Sequence, residues 1–178
     1  MDRRKFIQTS VERSLLLAFG LPGLSGGRRF NPMIGVCSDI NNAALISKAG
    51  GDFVEESVGR FLKPGNGEAD FEKSLMILKE SPLSVPACNS FFPAELRLTG
   101  DQVDEERVLR WAETAFSRAR RTGVRIVVLG SGGARKIPDG FGYDRAVAQF
   151  TGLLARMGQL AEAYQVTIAL EHLNRQET

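Results

Sequence analysis

Residues 166–171, VTIALE, decide the fold of this chain, because they form an apolar run that ends in a carboxylate. Side chains alternate across a strand, so the bulky aliphatic residues of this run share one face and the small residues share the other face with Glu171. A helical repeat of apolar residues precedes the run, over residues 143–164. A helix followed by a strand of this kind predicts one unit of a parallel α/β sheet.

The same unit recurs towards the N-terminus. Apolar runs predict four earlier strands, at residues 33–38, 52–58, 83–89 and 124–130. Apolar spacing and flanking glycines predict helices between them, at residues 42–49, 70–79 and 104–121. Five strands that alternate with four helices predict a parallel sheet, either doubly wound or part of a (β/α)8 barrel. No G-x-G-x-x-G follows the first strand, which argues against a dinucleotide-binding fold.

Composition excludes several classes of protein. The chain has 178 residues, of which 43% are hydrophobic and 25% charged, as in a soluble globular protein of about one domain. Two cysteines, Cys37 and Cys88, exclude a disulfide scaffold, and we expect both to be free, buried thiols. A single histidine, His172, excludes a site built from several imidazoles of this chain, and strand alternation predicts a packing or supporting role for it.

The first 29 residues differ in charge from the rest of the chain. They carry six basic and two acidic residues, whereas residues 30–178 carry 17 basic and 19 acidic residues, so the body has a net charge of −2 and no general affinity for nucleic acid is expected. Residues 2–8, DRRKFIQ, resemble a twin-arginine export signal, and the apolar stretch at 14–24 is too short for a membrane anchor. We therefore predict a periplasmic or exported protein; a basic N-terminal helix or a disordered tail, in a cytoplasmic protein, is the alternative.

The strand ends carry the candidate site residues. In a barrel the small face of the last strand points inward, which places Glu171 at the inner C-terminal rim, where barrel active sites lie. A carboxylate there can bind a hard divalent cation or remove a proton next to a carbonyl; pairing with Arg175 or solvent is the alternative. Asn89 ends the third strand and is either a substrate contact or a turn residue. Glu55, near the end of the second strand, either faces the mouth or forms a surface salt bridge.

Two further segments have open interpretations. Phe91 and Phe92 either cover the site or close the core. The loop at residues 131–140 is longer than usual between a strand and a helix, and its glycines with Arg135 and Lys136 could hold an anionic group or form a mobile surface loop.

Residues 170–178, LEHLNRQET, contain E-x-L-N-R-x-E and resemble that motif of the xylose-isomerase-like sugar phosphate isomerase/epimerase superfamily, with the ketose 3-epimerase type as the closest match. The resemblance covers about residues 33–178 and implies a TIM barrel. It implies that Glu171 ligates a divalent metal (Mn, Mg or Co) and transfers a proton, and that Glu177 lies near the substrate. It places the remaining Asp, His and Glu ligands beyond Thr178. Gln176 departs from the aromatic residue that is common in the family, which leaves the sugar open.

The resemblance therefore predicts a metal-dependent isomerase or epimerase that acts on a sugar or sugar phosphate of the ketose type through an enediolate. A dehydratase of the same superfamily and a non-catalytic sugar-binding or inactive fragment are the alternatives. A TIM barrel takes about 250 residues, so we expect residues 30–178 to be the N-terminal part of one, truncated after about the fifth strand. Such a part is expected to be poorly stable and inactive alone, with homo-oligomers possible for a full-length protein.

Overall fold

A computed structural model describes residues 32–174 of the chain. The export segment predicted at residues 1–29 and the substrate residue predicted at Glu177 lie outside this range. Among residues 32–174, no helix is long and apolar enough to cross a membrane.

Five parallel strands form one sheet in which each strand pairs with the next along the chain. The strands are β1 (Gly35–Cys37), β2 (Phe53–Ser57), β3 (Ser84–Asn89), β4 (Ile126–Leu129) and β5 (Thr167–Leu170). A doubly wound sheet reverses its strand order at a switch point, whereas a barrel adds its strands in sequence order. The order β1-β2-β3-β4-β5 is therefore that of a barrel, and the predicted parallel α/β architecture is confirmed.

Helices connect the strands as predicted, with small differences at their ends. They are α1 (Ala43–Lys48), α2 (Glu68–Glu80), α3 (Glu105–Thr122), α4 (Gly132–Arg135) and α5 (Tyr143–Ala163). A 3-10 turn (Ile40–Asn42) precedes α1, and a π-helical turn (Val58–Leu62) follows β2. The one-turn helix α4 lies where the sequence predicted only a loop.

Helix α3 shows how local sequence sets these elements. The side chain of Asp104 accepts a hydrogen bond from the backbone N–H of Arg107, which caps the helix start. Gly123 ends the helix with a φ of 80°, a conformation that glycine adopts without strain. The apolar stripe predicted from the sequence is buried, including Val108 and Ala112.

The core lies between the outer face of the sheet and the helices. Val54, Cys88 and Val127 occupy that face on adjacent strands and are fully buried. The opposite, inner face is more open: Ile126 there is 41% exposed. At the edge strand β5, Leu170 points to the helix side yet is 52% exposed. Within residues 32–174 the sheet therefore has an incompletely covered inner face and an uncovered side chain at its last strand.

The two cysteines differ more than the sequence predicted. Both thiols are free, and Cys88 is buried in the core as expected. Cys37 is exposed, so the prediction of two buried thiols is wrong for this residue. The reason is its position on the inner face of the edge strand β1, where it pairs in register with Glu55.

Candidate active site

Side chains from four strands converge on the inner face near the carboxyl ends of the sheet. Cys37 lies opposite Glu55, and Asn89 lies opposite Ser57 two residues further along β2. Strand alternation gives Glu171 the same inward direction as Ala169. The Cys37 thiol lies within electrostatic range of the Glu55 and Glu171 carboxylates and interacts with the Asn89 side chain. The structure thus brings Glu55, Asn89 and Glu171 together.

The environment of Cys37 keeps its thiol protonated. Partial burial raises the pKa of Cys37 above its usual value, and the Glu55 carboxylate adds to the rise through its charge and a hydrogen bond. Asn89 acts in the opposite direction, and the charge of Glu171 raises the pKa further. The neutral thiol of Cys37 therefore adds no negative charge to the part of the rim that holds the Glu55 and Glu171 carboxylates.

Glu171 extends the pairing of β4 with β5 by one residue. Its backbone N–H donates to the carbonyl of Leu129 over 3.2 Å. Its side chain is exposed and lies against Gly130, on which a Cβ atom would overlap Oε2 of the carboxylate. The neighbouring His172 is exposed rather than packed. Glu171 therefore presents its carboxylate at the open inner rim, the position predicted for it.

Glu56 is a charged residue of this region that sequence reasoning missed. Its side chain is only 1% exposed, and its Oε1 atom accepts a 2.6 Å hydrogen bond from the backbone N–H of Ile40. Its Oε2 atom accepts from the backbone N–H of Ser57 over 3.0 Å and from Nε of Arg60 over 2.9 Å. Glu56 alternates with Val54 and Val58, so the sequence does signal a buried carboxylate on the core face. With these donors satisfied, Glu56 anchors the segments after β1 and β2.

The aromatic pair after β3 belongs to the core. Phe91 and Phe92 are both buried, with ring centroids 4.1 Å apart, and Phe91 packs on Phe116 at 5.3 Å. The indole N–H of Trp111 donates to the carbonyl of Phe91 over 2.9 Å. Of the two interpretations left open by the sequence, the structure supports the core role.

The segment after β4 uses its arginine internally. The guanidinium of Arg135 donates from Nη1 to the carbonyls of Gly130 and Glu171, over 3.1 and 3.0 Å. Burial lowers the pKa of Arg135, and the Glu171 carboxylate opposes that change. The Nη1 atom of Arg135 thus binds backbone carbonyls, and the anion site considered from the sequence stays a prediction.

The carboxylate oxygens that residues 32–174 bring to this rim are of the type that binds a hard divalent cation, but they are too few to hold one. Carboxylate oxygens such as those of Glu171 are ligands that Mg and Mn prefer. Among residues 32–174, however, no group of three or more His, Cys, Asp or Glu side chains could hold a metal ion. The described residues therefore supply part of a ligand set, and no catalytic step is derived through a metal.

Comparison with known proteins identifies the fold. No family model and no curated protein matches the sequence. Among solved structures, D-psicose 3-epimerase with D-tagatose, from Clostridium cellulolyticum H10, matches with a TM-score of 0.65 and 15% identity over 82% of this chain and 54% of that one. The chain shares the TIM-barrel fold of that protein over the matched residues.

A second solved structure gives the same result. The apo form of 3-keto-D-glucoside 4-epimerase, YcjR, from E. coli matches with a TM-score of 0.60 and 16% identity, over 81% of this chain and 57% of that one. Both neighbours are sugar epimerases, and the likeness to their folds confirms the TIM-barrel fold predicted from the sequence. The chain spans little more than half of the length of either protein.

Proposed function

We propose that this chain forms part of a divalent-metal-dependent sugar or sugar phosphate isomerase/epimerase that moves a proton on a ketose-type substrate through an enediolate. The observation that carries the proposal is the convergence of Glu55, Asn89 and Glu171 at the inner rim of a barrel-type sheet. The similarity of fold to two sugar epimerases supports the general class of reaction.

Each side chain has a chemical role in this proposal. The exposed Glu171 carboxylate removes a proton from the carbon next to the sugar carbonyl and returns it, as a general base and acid. The amide of Asn89 donates a hydrogen bond to a sugar oxygen, and Glu55 accepts one from a sugar hydroxyl. A neutral Cys37 between them places no further anionic charge on the developing enediolate.

A divalent cation, Mn, Mg or Co, would supply electrostatic stabilisation of that negative charge when bound. We propose Glu171 as one of its carboxylate ligands, with the others supplied from outside residues 32–174. Glu177 is proposed to contact the substrate, and a homo-oligomer is proposed for a longer protein.

Sugar binding is testable through Cys37, which is exposed where Cys88 is buried. In a longer protein that contains this chain, we expect D-tagatose with Mn²⁺ to slow alkylation of Cys37, and Glu171→Gln or Asn89→Ala to weaken this protection. Glu80→Gln is the matched control, because Glu80 is an exposed carboxylate at the end of α2, remote from the strand ends that form the site. Alkylation that D-tagatose does not slow would contradict sugar binding at this rim.

Proton transfer is tested separately from binding. D-tagatose is incubated in D₂O with Mn²⁺ and a longer protein that contains this chain, and deuterium at the carbon next to the carbonyl is measured by NMR. Incorporation that depends on Glu171 supports the proposed role, whereas equal incorporation by Glu171→Gln contradicts it. Protection of Cys37 without incorporation would favour a sugar-binding fragment, and loss of water from the sugar would favour a dehydratase.

Export by the twin-arginine route is proposed from residues 2–8 alone. Replacement of Arg3 and Arg4 by lysine in the full chain is expected to block translocation. Unchanged translocation would contradict this route.

A further inference from the structure

The segment Gly130–Arg135, called here the β4 turn, folds back onto the ends of two strands. Its one-turn helix α4 follows Ser131, which has a left-handed φ of 44°. This geometry returns the side chain of Arg135 to the carboxyl ends of β4 and β5. There its Nη1 atom donates to the carbonyls of Gly130 over 3.1 Å and Glu171 over 3.0 Å, with Leu129 more distant at 3.4 Å.

Burial of the charged guanidinium of Arg135 against neutral carbonyls costs free energy of desolvation. Arg135 is partly buried, and desolvation disfavours its charged form. The flat group lies 5.3 Å from the centroid of the Phe150 ring, which fixes its plane from one side. Because its carbonyl partners come from adjacent strands, Arg135 fixes the backbone at Glu171 relative to the end of β4.

Gly130 has a complementary effect on the side chain of Glu171. A Cβ atom at this position would overlap Oε2 of the Glu171 carboxylate. Gly130 is not among the residues with positive φ, so its conformation is open to other residues. Gly130 therefore leaves room where a side chain would stand, and the carboxylate of Glu171 occupies that room.

We propose that the β4 turn is a positioning device for Glu171: Arg135 holds the Glu171 backbone and Gly130 admits its carboxylate. The importance of this device for catalysis rests on the proposed function, because only there does Glu171 act on substrate. The device itself is a property of the unliganded chain. Arg135 and Gly130 are thus positioning residues, and the orientation of Glu171 is set by the strand next to its own.

Hydrogen exchange tests the Arg135 part without any ligand. Arg135→Met keeps much of the volume but removes the donors, and we expect exchange of the amides at residues 167–172 to rise about tenfold. Arg135→Lys supplies N–H donors again and is expected to restore part of the protection against exchange. If Arg135 only filled space, the lysine and methionine variants would exchange alike. Arg118→Met is the control, because Arg118 binds the carbonyls of Leu62 and Asn66 instead and its loss should affect the segment around them.

The outcomes of this experiment are distinct. A local rise at residues 167–172 with partial rescue by lysine supports the proposal. A rise that is uniform across the protein, or equal exchange in Arg135→Met and Arg135→Lys, overturns the Arg135 part. If Arg135→Met does not fold, Arg135→Lys is compared with the unsubstituted chain. A rise of less than tenfold in exchange that is confined to residues 167–172 supports the proposal, and unchanged exchange there overturns it.

Gly130→Ala tests the second part. The carboxylate of Glu171 is the far end of a flexible side chain, so we expect it to move while the protein remains folded. Protection of Cys37 by D-tagatose and Mn²⁺ should then fall about tenfold, whereas Gly152→Ala in α5, where a Cβ meets nothing within 4 Å, should leave it unchanged. A crystal structure of Gly130→Ala with the Glu171 carboxylate unmoved overturns this part. If the longer protein without substitutions shows no protection, the proposed function fails, and hydrogen exchange with that crystal structure still decides the positioning role.

Discussion

The segments that follow β2 and β4 are both held by an arginine that donates to backbone carbonyls, yet they serve different ends. Arg118 is 6% exposed and binds the carbonyls of Leu62, Lys63 and Asn66, all within one loop, together with the Glu68 carboxylate. Arg135 is half-buried and binds the carbonyls of Gly130 and Glu171, which directly follow two adjacent strands.

The difference shows that an arginine that donates to backbone carbonyls can either hold a loop together or position a functional side chain. Arg118 lies 4.9 Å from the centroid of the Phe71 ring, as Arg135 lies over Phe150, so the two guanidinium groups have similar settings. Only Arg135 extends to the residue proposed for catalysis. We therefore expect loss of Arg118 to affect mainly stability and loss of Arg135 to affect mainly the site.

The largest expected effect is that of Arg118→Met. Removal of this nearly buried cation takes a donor from three carbonyls, of which that of Lys63 keeps the backbone N–H of Asn66, and we expect the free energy of unfolding to fall by about 3 kcal/mol. Urea denaturation of this variant and of Arg135→Met measures the difference. A larger loss of stability in Arg135→Met than in Arg118→Met would break the comparison.

Glu56→Gln is expected to have the next largest effect, and it sharpens the contrast at the end of β2. Glutamine keeps the shape of the side chain, but its NH₂ group would face an N–H donor from which the carboxylate now accepts a hydrogen bond. The free energy of unfolding should therefore fall by about 2 kcal/mol. Glu55→Gln is the matched variant one residue away, on the inner face, and should leave the urea midpoint nearly unchanged. Equal destabilisation by the two variants would mean that Glu55 is an anchor as well.

The smallest expected effect concerns the pH dependence of Cys37. Because the pKa of Cys37 is raised, the fraction of thiolate that reacts with iodoacetamide at a given pH is smaller than for an ordinary cysteine. Glu55→Gln removes an anionic neighbour, so the pKa should fall and the alkylation rate at pH 8 should rise about threefold. Rates measured from pH 7 to 10 give both pKa values, and an unchanged or slower rate at pH 8 would contradict the contact with Glu55.

Periodicity in the sequence was sufficient to predict the five strands and the inward direction of Glu171. Alternation of small and bulky residues in β5 fixes its two faces, and parallel strands must bring their carboxyl ends to one edge. The meeting of Glu55, Asn89 and Glu171 follows from those two rules together with the strand order.

Other features depend on tertiary contacts that the sequence does not display. The exposure of Cys37 depends on what covers the inner face, which the pattern of β1 alone does not specify. Arg135 donates to backbone carbonyls, which every residue has, so no partner residue type signals this role. Glu56 shows an intermediate case, because its alternation with Val54 and Val58 indicates burial but not the three donors that make burial tolerable.

The sequential order of the strands has a consequence for how the chain acquires its structure. Among residues 32–174, each strand pairs only with the strands that come directly before and after it in the sequence. Each pairing joins strands that are separated by a helical crossover, so it closes a long loop, which is a slow step in the folding of a parallel sheet. The backbone of Glu171 pairs with the end of β4, so the proposed catalytic carboxylate takes its position only when β4 and β5 have paired.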